Sequence, residues 1–162
     1  MSNYRIGYGY DVHQFAPGRR CVIGGVEIQS DIGLLGHSDA DVLSHAIADA
    51  VLGAAALPDI GFFFPPSDPS CKDIDSQKII QKAVSEAGKK GYRVGNVDCT
   101  IIAEAPRMLP HIQKMKDVLA KSLGVDADDV GIKATTNEKM GWEGRKEGIG
   151  AHAVCLLEKI SG

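Results

Sequence analysis

Three potential metal ligands on two separate segments constrain this chain more than any other feature. Asp11 and His13 are separated by one residue in a segment with strand patterning, so both side chains leave the same face. His45 lies in the next run of helical periodicity, where one turn can present its imidazole to that pair. One carboxylate and two imidazoles suit Zn²⁺ with its fourth position open. We therefore predict a catalytic metal site; the alternative is a polar strand end and a surface histidine.

The helix that would carry His45 is predicted over residues 38–57. Ser38 is expected to be its N-cap, with the acidic Asp41 three residues further on. Asp49 lies one turn beyond His45 and could accept a hydrogen bond from its ring, as often happens around a metal-bound imidazole. The alternative is that Asp49 is a solvent-exposed acid on the helix surface.

Composition narrows the class of protein. The 162 residues are predicted to form one domain, 1–162, and the net charge of −3 with dispersed Lys and Arg argues against a nucleic-acid or membrane-surface binder. No apolar run is long enough to span a bilayer and no signal-peptide pattern is present, so a cytoplasmic location is predicted. The four cysteines form no C-x-x-C pair, which argues against disulfides and a thiolate zinc site (Cys21, Cys71, Cys99, Cys155).

The order of predicted elements is β, β, α, α, β, α, β, β. Strands are expected at 4–12, 20–28 (interrupted at Gly24-Gly25 by a hairpin or a bulge), 95–105, 130–136 and 149–160, and the other helices at 76–91 and 110–124. This order indicates an α+β fold, a mixed β-sheet with helices packed on one face. Its other face must then be buried by oligomerisation. Residues 59–75 are predicted to be a long functional loop in which Phe62, Phe63 and Phe64 are at least partly buried.

Seven ordered motifs resemble those of one family. They are G-Y-D-V-H at 9–13, A-D-V-L-S-H at 40–45, L-P-D-I-G at 57–61, F-P-x-x-D at 64–68, K-x-x-D-S at 72–76, A-E-A-P-R-M-L-P-H at 103–111 and K-A-T-T-N-E-K at 133–139. The chain, from about residue 4 to residue 158, resembles the 2-C-methyl-D-erythritol 2,4-cyclodiphosphate synthases of the non-mevalonate isoprenoid pathway. The resemblance implies a lyase in which the substrate's 2-phosphate attacks its β-phosphate and expels CMP.

The resemblance also assigns metals and catalytic residues. It implies that Asp11, His13 and His45 bind zinc, and that Glu138 binds a second divalent ion, Mg²⁺ or Mn²⁺, held mostly by phosphate oxygens. His37 and Thr136 match residues that stabilise the transition state.

The substrate contacts follow from the same resemblance. Ser38 is expected to bind phosphate, Arg107 to approach the diphosphate, and Lys72 to lie in a mobile lid. The remaining expected contacts are Val12, Asp59, Ile60, Gly61, Phe64, Pro65, Pro66, Ser67, Asp68, Ala103, Glu104, Ala105, Pro106, Met108, Leu109, Ala134, Thr135, Asn137, Trp142 and Arg145, besides the metal ligands and catalytic residues themselves.

The chain departs from the family's sequence pattern at two positions, and the resemblance also implies an oligomeric state. Pro66 replaces an acid that is usual in the family and stiffens the lid, and Trp142 replaces a more usual Phe. The family forms a homotrimer whose active sites lie between subunits, with a cavity on the threefold axis matched here by Tyr10, Arg145 and Glu147.

Two other classes stay open. A trimeric scaffold could keep zinc structurally, although three ligands instead of four count against this. A metal-dependent phosphoester hydrolase would need a positioned water and a general base, for which His37 would serve.

Overall fold

A mixed sheet of five strands forms the centre of the protein, in the order β4-β1-β7-β5-β6. The computed structural model describes residues 2–160. The strands are β1 (Tyr4–Pro17), β2 (Cys21–Ile23), β3 (Val26–Ile28), β4 (Ile32–Leu34), β5 (Tyr92–Ile102), β6 (Val130–Thr135) and β7 (Gly148–Lys159), and the helices are α1 (Val42–Ala54), α2 (Ile60–Phe63), α3 (Ser76–Lys89), α4 (Ile112–Leu123) and α5 (Gly141–Gly144). Only the β5–β6 pair is parallel; β2 and β3 form a separate hairpin.

The predicted α+β architecture is confirmed, and the differences are local. β4, α2 and α5 lie in segments that the sequence pattern left as loops. A 3₁₀ turn, Pro69–Cys71, also lies inside the predicted loop 59–75. These elements have only three or four residues, too few to show a periodicity. Within that loop Phe63 and Phe64 are half-buried as predicted, whereas Phe62 is 68% exposed.

The prediction that Ser38 caps α1 is wrong, because the helix begins at Val42. Ala40 has φ +59°, which no right-handed helix accommodates, so the helix cannot start earlier. Asp41 is the N-cap, and its carboxylate accepts the Ser44 N–H at 3.0 Å. The hydroxyl of Ser38 instead accepts the Ala40 N–H at 3.1 Å and lies 3.1 Å from Nε2 of His45, a candidate metal ligand.

The Asp41 carboxylate also fastens the β2–β3 hairpin to α1. Its two oxygens accept the N–H groups of Gly24 and Gly25 at 2.8 and 2.6 Å and the Ser44 hydroxyl at 2.7 Å. Asp41 is fully buried, and burial raises the pKa of its carboxyl. Because these four donors surround one carboxylate, the β2–β3 hairpin, the start of α1 and the turn at 36–41 form one rigid unit.

Close packing of α1 on the sheet fixes the depth at which His45 lies. Gly7 and Gly9 of β1 face the helix, and a Cβ atom on Gly9 would lie 1.8 Å from the Ala46 carbonyl oxygen. Only glycine allows this approach of two backbones. α1 is buried along nearly its whole length, which makes it the central helix of the core.

The opposite face of the sheet carries a row of exposed large side chains. On β1 these exposed residues alternate with the buried glycines and the candidate metal ligands. They are Tyr4, Ile6, Tyr8, Tyr10 and Val12, and Ile6 is 74% exposed. Val154 on β7 pairs with Tyr8 and is exposed as well. This face of the sheet is therefore uncovered within one chain, as expected for a sheet with helices packed on one face.

The described part of the chain contains no helix with the length and apolarity needed to cross a bilayer. All four cysteines are free and buried. Burial raises the pKa of the Cys99 and Cys155 thiols to about 12, so neither is a reactive thiolate at neutral pH.

Candidate active site

Asp11, His13 and His45 converge as the sequence pattern predicted. Asp11 Oδ2 lies 3.0 Å from His13 Nε2 and 3.0 Å from His45 Nδ1, and the two nitrogens are 3.1 Å apart. β1 supplies the first two side chains on its helix-facing side, and the first turn of α1 supplies the third. Among the described residues these three are the one group of His, Cys, Asp or Glu side chains close enough to share an ion.

The chemistry of this triangle fits a cation. His13 Nδ1 donates to the Leu35 carbonyl oxygen at 2.7 Å, which leaves a lone pair on Nε2 facing the other two ligands. Two nitrogen lone pairs and a carboxylate oxygen that face one another repel unless a cation lies between them. Tetrahedral zinc ligands at their usual bond lengths are roughly 3.3 Å apart, and a small adjustment of the observed edges reaches that value.

The negative charge of Asp11 also favours a bound cation at this site. Burial by itself would raise the pKa of the Asp11 carboxyl, but the neighbouring imidazoles of His13 and His45 outweigh it and hold that pKa at about 2. Burial would likewise lower the pKa of His13, but the Asp11 carboxylate raises it. A permanently ionised carboxylate thus lies beside two imidazoles.

The triad opens into a cavity of about 230 Å³. Its other lining residues are His37, Ser38, Ile60, Gly61, Phe64, Pro66, Cys71, Ile74 and Ile79. His37 is exposed, whereas the Ser38 hydroxyl is buried and lies 3.1 Å from His45 Nε2. A larger cavity of about 740 Å³ lies at the far end of the sheet, between the ends of α3 and α4. The carboxylates that line it, Asp126, Asp129 and Glu158, do not form a group close enough to share an ion, so the ligand geometry favours the smaller cavity.

The prediction that Asp49 orients His45 is wrong. Its carboxylate accepts the Ile60 N–H at 2.9 Å and so anchors α2 to α1. The free ring nitrogen of His45, Nε2, faces the hydroxyls of Ser38 and Ser76 at 3.1 and 2.8 Å. Because α2 was not predicted, its Ile60 N–H could not be foreseen as the partner of Asp49.

The loop after α2 combines cavity lining with local turns. Asp59 is the N-cap of α2 and accepts the Phe62 N–H, and Asp68 accepts the Ser70 N–H at 2.9 Å. Phe64 and Pro66 reach the cavity, while Ser67 and the predicted lid residue Lys72 are exposed.

A second group of expected site residues lies at the ends of β5 and β6. The Ala103 N–H donates to the Thr135 carbonyl oxygen at 3.0 Å, and Glu104 Oε1 accepts the N–H groups of Asn137 and Lys139 at 3.1 Å each. Glu138, between those two, has φ +52° and an exposed side chain. Glu104 therefore holds this strained loop with the Glu138 carboxylate presented to solvent.

The two groups lie at the same end of the sheet but do not share a cavity. His13 pairs with Ile149 on β7, and Ile102 pairs with the adjacent Gly150, so His13 and the C-terminal end of β5 are at the same level in the sheet. None of residues 103–109 or 134–138 lines the cavity around the triad. One chain therefore separates the metal ligands from Glu138 and Thr136.

The chain matches the sequence model of the YgbB family over residues 4–158. It is 52% identical over 158 residues to the 2-C-methyl-D-erythritol 2,4-cyclodiphosphate synthase of Thermosynechococcus vestitus, covering 98% of each chain.

The chain belongs to the YgbB family.

Other relatives of this YgbB-family chain agree in name. The synthase of Ectopseudomonas mendocina is 56% identical over 155 residues, covering 96% of this chain and 99% of that one. Among solved structures, the IspF of Plasmodium falciparum in complex with CDP is 32% identical with a TM-score of 0.86, covering 99% of this chain and all of the other. The bifunctional IspDF of Campylobacter jejuni has a TM-score of 0.93 at 36% identity; the match covers 98% of this chain and 43% of that longer one.

Two residues beside the candidate site were not singled out from the sequence. Arg19 donates to the carbonyl oxygens of Leu34, Gly36 and Ser38, and so braces the turn that carries His37. Nothing in its polar surroundings singles it out. Ile79, which lines the cavity, lies on the buried face of α3, where apolar periodicity cannot separate a cavity wall from core.

Proposed function

We propose that this protein is a phosphorus–oxygen lyase that converts 4-diphosphocytidyl-2-C-methyl-D-erythritol 2-phosphate to 2-C-methyl-D-erythritol 2,4-cyclodiphosphate and CMP, in the cytoplasm, as a step of non-mevalonate isoprenoid precursor biosynthesis. Relatives that match nearly the whole chain carry the name of this synthase. The observation that carries the proposal is the convergence of Asp11, His13 and His45 beside a cavity that holds His37 and Ser38.

The reaction needs positioning and charge neutralisation more than protein nucleophiles. An oxygen of the 2-phosphate forms a bond to the β-phosphorus, and the bond from that phosphorus to the oxygen bridging the α-phosphate breaks, so CMP leaves with that oxygen. His37 and Thr136 would donate hydrogen bonds to phosphoryl oxygens as charge moves through the transition state, and Ser38 would hold a phosphate. α2 and the following loop, with Ile60, Gly61, Phe64 and Pro66, would enclose the methylerythritol.

The cation site supports the same chemistry. When bound by Asp11, His13 and His45, Zn²⁺ supplies a Lewis acid and a template for the β-phosphate. The three protein ligands leave one position for substrate, which favours a catalytic over a structural zinc. Relatives solved with CDP support a cytidine diphosphate ligand, for which residues 103–109 and 134–138 would form the pocket, with Arg107 near the diphosphate.

Glu138 is proposed to hold the second divalent ion, Mg²⁺ or Mn²⁺, because its exposed carboxylate is fixed at the tip of a loop that Glu104 braces. Glu138→Gln should raise the Mg²⁺ concentration for half-maximal activity by about tenfold or more, since one charged ligand is lost from a mostly phosphate-bound ion. A metal titration of CMP formation measures this. Glu86→Gln is the control; it changes a partly buried acid on α3 that pairs with Lys82 and Lys89. An unaltered titration for Glu138→Gln would count against the assignment.

A homotrimer would bring the two groups of site residues together between neighbouring chains. The exposed apolar row on β1 and the separation of Glu138 from the triad within one chain support this. Tyr10, Trp142, Arg145 and Glu147 would then lie near the subunit contacts.

The assembly predicts a solution mass three times the 17.2 kDa of one chain. Ile6→Asp should give monomers by light scattering, because three buried carboxylates are costly to desolvate, and should abolish CMP formation while zinc stays at one per chain. Ile160→Asp, an exposed residue beyond the end of β7, should leave the mass unchanged. A monomeric but fully active Ile6→Asp protein would refute the shared site.

One incubation with the cytidylylated substrate and Mg²⁺ distinguishes the candidate functions. CMP with a cyclic diphosphate supports the synthase. CMP with a linear product supports a hydrolase, and no CMP from zinc-loaded protein supports a scaffold. Phosphorus NMR identifies the cyclic product, because both of its phosphorus atoms lie in the ring.

A further inference from the structure

The imidazole of His45 has hydrogen-bond partners on the side of the ring that faces away from Asp11 and His13. Its Nδ1 lies 3.0 Å from Asp11 Oδ2, and its Nε2 lies 2.8 Å from the Ser76 hydroxyl oxygen. A neutral imidazole that gives its Nδ1 lone pair to a cation carries its proton on Nε2. Nε2 must therefore donate a hydrogen bond, and the structure offers two hydroxyl oxygens, Ser76 and Ser38, as acceptors.

Ser76 is the better acceptor because its own proton is already committed. The Ser76 hydroxyl donates to Asp39 Oδ1, and Asp39 Oδ2 accepts the Ser76 N–H at 3.0 Å. The Ser76 oxygen thus points its lone pairs at His45. Ser76 has no exposed surface, so water does not compete for this contact. Ser38 lies further from Nε2, at 3.1 Å, and its oxygen also accepts the Ala40 N–H.

We propose that Asp39 and Ser76 are positioning residues that act in series, Asp39 on Ser76 and Ser76 on His45, to hold the imidazole with Nδ1 toward the metal. This inference rests on the proposed zinc site. It gives the chain the orienting partner that Asp49 does not provide, and it assigns a role to the buried hydroxyl at the start of α3.

The same pair ties His45 to the end of the loop that lines the cavity. The Asp39 N–H donates to the Ile74 carbonyl oxygen at 3.2 Å, and the Asp73 N–H donates to the His37 carbonyl oxygen at 2.9 Å. Ser76 follows directly as the first residue of α3. The metal ligand, the turn carrying His37 and the C-terminal anchor of the 64–75 segment therefore share one hydrogen-bond network.

Zinc affinity tests the inference without substrate. Ser76→Ala should raise the zinc dissociation constant, measured by chelator competition, by 10–100-fold, the usual cost of losing the hydrogen-bond partner of a metal-bound histidine. The visible spectrum of the Co²⁺-loaded variant should shift as well, because the His45 ring can rotate. Ser122→Ala is the matched control: it removes a buried serine hydroxyl that donates to Gln77 Oε1 at 2.8 Å, away from the metal ligands. Its zinc affinity and Co²⁺ spectrum should match wild type, whatever its melting temperature.

A double-mutant cycle tests the series. Asp39→Asn should also weaken zinc binding, and Ser76→Ala with Asp39→Asn should be no weaker than Ser76→Ala alone, because Asp39 acts through Ser76. Additive losses would overturn the series, and a Ser76→Ala affinity within twofold of wild type would overturn the inference. Wild-type protein that binds zinc but forms no CMP would refute the proposed function, while the Ser76→Ala affinity still decides the inference. Wild-type protein that binds no zinc would overturn both.

Discussion

His45→Ala is expected to abolish zinc retention and to lower kcat/KM by on the order of a thousandfold or more, because several kcal/mol of charge stabilisation depend on the cation. The substitution removes one of three ligands that lie 3.0–3.1 Å from one another. Metal analysis of the purified protein should fall from one zinc per chain to a trace. The fold should survive with a loss of about 1–3 kcal/mol, since the ring packs beside serine hydroxyls more than against the apolar core.

His111→Ala provides the comparison for this experiment. His111 precedes α4 and belongs to no cluster of potential ligands in the described part of the chain. Zinc content should be unchanged in that variant. If His45→Ala retained the wild-type zinc stoichiometry, the ligand assignment would be refuted, and with it the proposed role of the cavity.

Gly9→Ala is expected to destabilise the protein by on the order of 3–5 kcal/mol and to lower its melting temperature by roughly 10 °C. The added Cβ would lie 1.8 Å from the Ala46 carbonyl oxygen and 2.8 Å from the Ala50 nitrogen, so α1 must move away from β1. That movement separates His45 from Asp11, since each lies within two residues of the clash. Calorimetry measures the stability, and chelator competition should show weaker zinc binding in the protein that still folds.

Gly53→Ala is the matched control, because it adds the same methyl group on α1. The nearest atom to a Cβ at Gly53 is the Tyr8 carbonyl oxygen at 3.8 Å, which is an ordinary contact. Alanine is also the better helix former by about 1 kcal/mol, so this variant should be as stable as wild type or more so. A Gly9→Ala protein that melts with the wild type would show that the close approach of β1 and α1 is not required.

Long periodic elements were predictable from local sequence, and short ones were not. The stripes of α3 and α4 and the strands β1, β5, β6 and β7 were assigned to within a few residues. Alternation along β1 even indicated which side chains share a face. β4, α2 and α5 are stabilised by contacts with distant residues, such as the hydrogen bond from the Ile60 N–H to Asp49. A segment of three or four residues carries no information about a partner that is distant in sequence.

The start of α1 illustrates a different failure. Ser38 and Asp41 are both good N-cap residues, and the acidic residue three positions after Ser38 favoured the earlier one. The hairpin decided the matter, because Asp41 is buried against the N–H groups of Gly24 and Gly25 while Ala40 adopts a left-handed backbone. Ser38 is thereby released from capping and lies beside His45.

By itself the sequence determined the ligand types, the mixed sheet and the family, because spacing, periodicity and ordered motifs are properties of the chain alone. Only the tertiary structure decided how His45 is oriented, since the choice among Asp49, Ser38 and Ser76 depends on which side chains α1, α2 and α3 bring within about 3 Å, the reach of a hydrogen bond. It also separated Glu138 from the metal ligands within one chain, because β7 lies between the strands that carry them.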